Sequence, residues 1–404
     1  MTIVLIIGLG IGFLMSMAIG ANDVANSMAT AVGAKAITPK QAVIIAGVLE
    51  FVGATFFGRQ VTETIRKGIV NLEMLSDPKT VIIGSMAALI GATLWLIIAT
   101  YFSWPVSTTH SIVGGMVGYG IAAGGFAVVN WNRVLMISLS WVISPLIGLL
   151  IAFIMFKLIS ATTLHGENLD KKVRIWIPIY LGLAFFTIGL SFIVKALHAS
   201  ITLKAILYAI IIGIVFALLS FIYVVVSSKK KYKDSNQYVE SIFRKAQVVT
   251  SCYVALAHGA NDVANAIGPV AAIYAAVVTG TVGAKAEIPR YILAMGGLGI
   301  AIGVAIWGSR VMKTVGKDIT ELNNSRGFAI DFATATTVLG ASNLGMPISS
   351  THTVVGSVMG VGFARGIGSV NLGIIKEIIL SWFLTVPAAA GVGYLMFKVL
   401  QFFF

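Results

Sequence analysis

An all-α polytopic membrane protein is the predicted fold class: about twelve transmembrane helices, in two inverted-topology repeats with broken helices. Three observations predict it. Of the 404 residues, 58% are hydrophobic and 11% charged, where a soluble domain carries roughly 25% charge. Mean hydropathy is +0.96, and apolar runs recur that can cross ~30 Å of hydrocarbon. The string Gly20-Ala21-Asn22-Asp23-Val24-Ala25-Asn26 returns unchanged as Gly259-Ala260-Asn261-Asp262-Val263-Ala264-Asn265. Soluble enzymes, disordered chains and secreted scaffolds are thereby excluded. The net charge of +13 reads as loop charge that sets orientation, not as a nucleic-acid surface. The single cysteine, Cys252, leaves no internal disulfide framework. No early signal-peptide cleavage is expected, because the first apolar run continues into polar residues.

Taken in order, the spans are expected at 3–34, 41–58, 81–103, 111–129, 134–159, 175–194, 203–226, 246–280, 290–308, 327–345, 352–370 and 374–404. Unpaired backbone is too costly in lipid, so each is a helix or a strand of a closed barrel. Runs this uniformly apolar do not alternate as barrel strands do. Small-xxx-small pairs (Gly8/Gly12, Gly114/Gly118, Gly299/Gly303, Gly356/Gly360) permit close helix contact. The loop Ser227–Lys245, with Lys229, Lys230, Lys231, Lys233, Arg244 and Lys245, is expected to be cytoplasmic by the positive-inside rule. Counting spans from it places both termini outside, and also leaves the basic segment Arg59–Lys79 outside.

The duplication extends beyond the seven residues. Val32-Gly33-Ala34-Lys35-Ala36 reappears at Val282–Ala286, and Trp104-Pro105-Val106-Ser107-Thr108-Thr109-His110 as Met346-Pro347-Ile348-Ser349-Ser350-Thr351-His352. Ser140-Trp141, followed by Pro145, corresponds to Ser381-Trp382, followed by Pro387. Residues 1–160 form repeat one and 246–404 repeat two, with about five spans each; 161–245 supply two connecting spans and the basic loop. An odd number of spans, seven, separates the two starts, so the second repeat sits inverted. Paired motifs on inverted repeats are the architecture of secondary transporters, with the ligand near the midplane.

Asp23 and Asp262 lie inside apolar runs, where a carboxylate costs at least ~2.5–3.5 kcal/mol unless paired. The surrounding runs exceed one span. A break around Gly20–Asn22 and Gly259–Asn261 would resolve the length and free carbonyls beside each carboxylate. Asn22, Asp23, Asn261 and Asp262 would then form an oxygen cage for a hard cation such as sodium; helix capping is the structural alternative. The Pro motifs have the opposite sense. Proline followed by Ser107, Thr108 and Thr109, or by Ser349, Ser350 and Thr351, starts a helix. Its free N–H groups and positive dipole end attract phosphate or carboxylate. His110 and His352 follow directly, either as donors to the anion or as structural side chains. Carboxylates repel such an anion strongly in a low-dielectric site, and neither motif holds a lysine or arginine. Sodium ions or protons must therefore bind with it. Glu50 is a third intramembrane acid and Asp331 lies near a span start; both are candidate gating or supporting groups.

These motifs, with Glu50 ahead of Glu63-Thr64-Ile65-Arg66-Lys67-Gly68, resemble those of the inorganic phosphate transporter (PiT) family. The resemblance covers both ends of the chain and implies inverted repeats, extracellular termini, frequent homodimers and cation-coupled phosphate uptake across the plasma membrane. It also implies that Asp23, Asn26, Asp262 and Asn265, with the Ser/Thr residues of both Pro motifs, form the sodium and phosphate sites. It matches Glu50 and Asp331 to acidic family positions. The short central loop is that of a prokaryotic member. Ser350 stands where repeat one has Thr108, so the cradle is asymmetric. A sodium:phosphate symporter is the leading expectation. A proton-coupled carrier of phosphate, metal-phosphate or sulfate is the runner-up, ahead of an anion channel. No Gly-x-x-x-x-Gly-Lys-Ser/Thr, His-Glu-x-x-His or Gly-x-Ser-x-Gly motif supports a pump or an enzyme, and no cofactor is expected beyond the coupling ion.

Overall fold

The computed structural model describes residues 2–75, 77–102, 106–196, 202–226, 235–282, 287–315 and 321–404. Lys229, Lys230, Lys231, Lys233, Pro105 and 283–286 of the second Val-Gly-Ala-Lys-Ala copy lie outside these residues. The described chain is helical: α1 Thr2–Gly33, α2 Pro39–Phe57, α3 Arg59–Gly68, α4 Pro78–Tyr101, α5 Thr108–Gly124, α6 Trp131–Ile159, α7 Leu169–Ala196, α8 Leu203–Val226, α9 Ser235–Thr279, α10 Arg290–Val315, α11 Asn324–Asn343, α12 Ser350–Arg365 and α13 Leu372–Phe403. Among the described residues, nine helices are long and apolar enough to cross a membrane. Of the other predicted spans, α5 and α12 are short, at 17 and 16 residues, and α11 carries many polar residues.

Each of the twelve predicted spans contains a helix, but the chain breaks elsewhere than expected. Helices α1 and α9 run unbroken through Gly20–Asn22 and Gly259–Asn261. Their polar side chains bond sideways to neighbouring helices, so no backbone needs to open. The glycines serve contact instead. A Cβ on Gly20 would lie 2.0 Å from the Ile300 carbonyl oxygen, and one on Gly259 2.2 Å from that of Glu50. At 32 and 45 residues these helices are about 48 and 68 Å long, and tilt or protrusion absorbs the excess. The interruptions fall at the Pro motifs, between α4 and α5 and between α11 and α12.

Two further differences concern the loops. Residues 59–68 form α3, which the polar sequence disguised. Thr64 of this helix donates to the Gly345 carbonyl at 2.7 Å, bracing the loop before α12. The basic loop yields Arg244 and Lys245 to α9, which begins at Ser235 because Tyr238, Val239, Ile242 and Phe243 bury on one face. Glu240 there accepts from the N–H groups of Asn324 and Ser325 at 3.0 and 3.2 Å, a carboxylate placed at the positive end of α11.

The repeats interleave. α1 packs on α10 and α9 on α2, while α5 packs on α13 and α12 on α6. Three of the small-xxx-small pairs lie in these seams, and Gly8/Gly12 faces α9: a Cβ on Gly118 would meet the Ala390 carbonyl oxygen at 2.0 Å, and one on Gly356 that of Pro145 at 2.2 Å. Gly118→Ala should lower stability by about 1–3 kcal/mol through overpacking. Gly10→Ala, with nothing within 4 Å of the added Cβ, should not. Thermal unfolding midpoints in detergent, compared between the two variants, check this.

Candidate functional site

The repeated strings bring their carboxylates together at the centre of the bundle. Asp23 and Asp262 are both fully buried. Asp23 Oδ2 accepts from Thr108 Oγ1 at 2.8 Å, and Asp262 Oδ2 accepts from Ser350 Oγ at 2.8 Å. Each carboxylate is thus bonded to the first helical residue after a Pro motif of its own repeat. The asparagines cross over. Asn26 Nδ2 donates to Thr351 Oγ1 at 2.9 Å and reaches Ser350 Oγ at 3.5 Å. Asn265 Nδ2 lies 3.2 Å from both Thr108 Oγ1 and Thr109 Oγ1. Each repeat therefore completes the hydrogen bonding of the other, and the paired motifs form one site.

The helix starts at this site are built as the sequence implies. Ser107 accepts from the His110 N–H, and Ser349 from the His352 N–H. These serines are N-caps, their oxygens committed to the helix. The N–H groups of Thr108, Thr109, Ser350 and Thr351 have no intrahelical acceptor by helix geometry. Four donors at the positive ends of two helices, with buried hydroxyls beside them, suit a tetrahedral oxyanion.

One residue at the centre escaped the sequence reading. His258, one turn ahead of Asp262, places Nε2 2.7 Å from Asp262 Oδ2 and 3.7 Å from Asp23 Oδ2, and Nδ1 3.2 Å from Glu50 Oε1. Glu50 Oε1 also accepts from Ser27 at 2.9 Å. At the matching positions of the other repeat, Ile19 stands for His258, Ile300 for Glu50 and Ala266 for Ser27. The i,i+4 spacing of His258 and Asp262 was the available signal. An unmatched histidine in an apolar run gives little else.

A hard cation fits this donor set. Ligand atoms of Asp23, His258 and Asp262 all lie within 4.8 Å of one another. Asp23 Oδ1, Glu50 Oε2 and Asn265 Oδ1 are buried oxygens without a hydrogen-bond partner, and oxygen is the ligand such ions take. Among the described residues, no lysine or arginine bonds these three carboxylates.

The other predicted residues lie further out. Asn22 donates to Thr100 Oγ1 at 2.8 Å, tying α1 to the end of α4. Asn261 lies 3.1 Å from Ser342 Oγ near the end of α11. Asp331 forms a second buried station, its two oxygens accepting from Thr30 and Ser251 at 2.5 Å. His110 and His352 face each other, ring centroids 4.4 Å apart.

Comparison with known proteins identifies the family. Residues 19–393 match the model of the phosphate transporter family. The chain belongs to that family. It is 57% identical over 400 residues to a Pyrococcus furiosus protein named "Putative phosphate permease", covering 98% of this chain and 96% of the relative. It is 40% identical over 422 residues to the Arabidopsis thaliana protein "Inorganic phosphate transporter 2-1, chloroplastic", covering 97% of this chain and 72% of that one. A solved structure described as "The sodium-dependent phosphate transporter" superposes with a TM-score of 0.93 at 51% identity, over 100% of both chains. The resemblance carried by the motifs is thus confirmed at the level of family, and the members named here are permeases and transporters rather than enzymes.

His258 is the basic group that separates these acids. His258→Ala should lower stability by about 1–3 kcal/mol, because it leaves buried carboxylate oxygens without their imidazole contact, and Glu50→Gln in that background should restore part of it. Thermal unfolding in sodium-free detergent buffer measures both effects.

Proposed function

We propose that this phosphate transporter family member imports inorganic phosphate by sodium symport, with alternating access between two inverted repeats. The observation that carries the reading is the cross-over of Asn26 and Asn265. It brings two anion-attracting helix starts and two buried carboxylates into one site. Thr108, Thr109, Ser350 and Thr351 would hold phosphate through hydroxyls and N–H groups, with Asn26 and Asn265 alongside and Ser107 and Ser349 keeping the helix starts in shape. Asp23 and Asp262 would ligate sodium, with Glu50 next to them and Asn22 and Asn261 supporting from behind. Asp331 would act as a gating or supporting acid.

Electrostatics makes the coupling necessary. Two like charges about 4 Å apart repel by ~4 kcal/mol at an effective dielectric of 20. A divalent phosphate beside two carboxylates therefore requires cations to enter with it. The name of the 51% identical structure supports sodium as that cation. A proton-coupled carrier is the second reading, favoured by His258 among three carboxylates. From the family resemblance and the positive-inside rule, we further propose a homodimer in the plasma membrane, with extracellular termini and the basic segment 227–245 on the cytoplasmic side.

Uptake of labelled phosphate into proteoliposomes tests the reading. An inward sodium gradient at fixed pH should drive accumulation, and a proton gradient without sodium should not. Asp23→Asn and Asp262→Asn should each reduce sodium-driven uptake about a hundredfold, the loss expected from removing ~3 kcal/mol of charge pairing. Uptake indifferent to sodium would assign the coupling to protons.

A further inference from the structure

The two histidines after the Pro motifs belong to a four-ring cluster that no role above uses. His352 stacks on Trp382, with ring centroids 3.5 Å apart and planes at 20°, and His110 lies over Trp141 at 3.7 Å and 37°. Each histidine also reaches the backbone of the tryptophan that its ring does not cover. His352 Nδ1 lies 3.1 Å from the Trp141 carbonyl oxygen, and His110 Nδ1 3.4 Å from that of Trp382. A carbonyl only accepts, so both Nδ1 atoms carry the proton. The contacts tie α12 to α6 and α5 to α13, each time joining a helix start of one repeat to a long helix of the other.

The two anchors are unequal, for a reason visible in the sequence. In a helix the Trp141 carbonyl would accept from the N–H four residues on. That residue is Pro145, which has no N–H, so the carbonyl remains available to His352. Four residues beyond Trp382 stands Val386, which keeps its N–H; Pro387 comes one residue later. The His110 contact is correspondingly longer.

We propose that His352 is a positioning residue for phosphate: its Nδ1–H, bonded to the Trp141 carbonyl that Pro145 leaves open, fixes the start of α12 beneath the anion. His110 holds α5 in the same manner but more weakly. The adjoining residues transmit the effect directly. Thr351 precedes His352 and accepts from Asn26, while Ser350 donates to Asp262. A helix start that swings loses its N–H alignment before it loses its carboxylate contact. Phosphate affinity should therefore suffer ahead of sodium affinity. This proposal rests on the phosphate site read above.

Phosphate and sodium KM values for uptake in proteoliposomes test it. His352→Phe keeps the ring and removes the donor, and should raise phosphate KM about tenfold, the worth of one good hydrogen bond. Maximal rate and sodium KM should stay within about twofold. His110→Phe, losing the longer bond, should raise phosphate KM about threefold. Pro145→Ala gives Trp141 an intrahelical donor and should mimic His352→Phe, with no further rise when the two are combined. His352→Asn sets an amide N–H near the Nδ1 position and should recover much of the affinity, whereas His352→Gln should not. This pair keeps the test decisive should His352→Phe fail to assemble.

An unchanged phosphate KM in His352→Phe overturns the proposal. So do multiplicative effects of Pro145→Ala and His352→Phe, or an equal rise in sodium KM. Thr109→Val and Thr351→Val separate the two levels. If they raise phosphate KM and His352→Phe does not, the anchor alone fails. If they too leave it unmoved, the phosphate site fails.

Discussion

Three carboxylates buried together in a membrane protein, with one imidazole and, among the described residues, no lysine or arginine bonded to them, set the terms for everything around them. Asp23, Glu50 and Asp262 cannot share a low-dielectric interior without dense hydrogen bonding. Thr108, Ser350, Ser27 and His258 supply that bonding. Supplying it requires two short helices to begin at the centre of the bundle. This in turn requires the chain to stop and restart between α4 and α5 and between α11 and α12. The close seams at Gly20, Gly259, Gly118 and Gly356 then bring the long helices near enough to close the site.

In the proposed transport reading, the same acids would make anion and cation chemistry inseparable. The N–H groups at the helix starts lie one residue from hydroxyls that are themselves bonded to carboxylates. A phosphate placed there senses both. Thr108 links the two roles in one atom: its hydroxyl donates to Asp23 and accepts from Asn265. Neutralising Asp23 with a cation changes the acceptor strength of that carboxylate, and so the hydroxyl that faces the anion. On the proposed assignment, coupling would need no long pathway, because the two ligands would share a threonine.

Much of this was legible in the sequence, and the failures have physical causes. The twelve apolar segments were readable because lipid forbids polar stretches within them. The two-part site was readable because Asp23 and Asp262 stand out in lipid and recur. Where the chain breaks was not readable, because length alone does not separate a broken helix from a tilted one. The deciding fact was sideways hydrogen bonding, which depends on packing. α3 was hidden by its polar composition and by its ten residues, too few to show a convincing period. His258 was missed because repeat comparison draws attention to what is duplicated, and Ile19 occupies its place in the first copy.

The exchange of asparagines bears on how such a chain arose. Two separate copies of one half, assembled about a two-fold axis, would satisfy Asn26 and Asn265 equally well, since each residue finds its partner in the other copy. Any substitution in such an assembly appears twice. The pair of His258 and Glu50 is different, because each is present in one half only and the other half holds isoleucine at both positions. A doubled version would place two imidazoles and four acids in the same space. A single chain can carry each of these groups once, which a pair of identical halves could not do. The polar groups found in one half alone thus mark where the centre departs from the symmetry of its two halves.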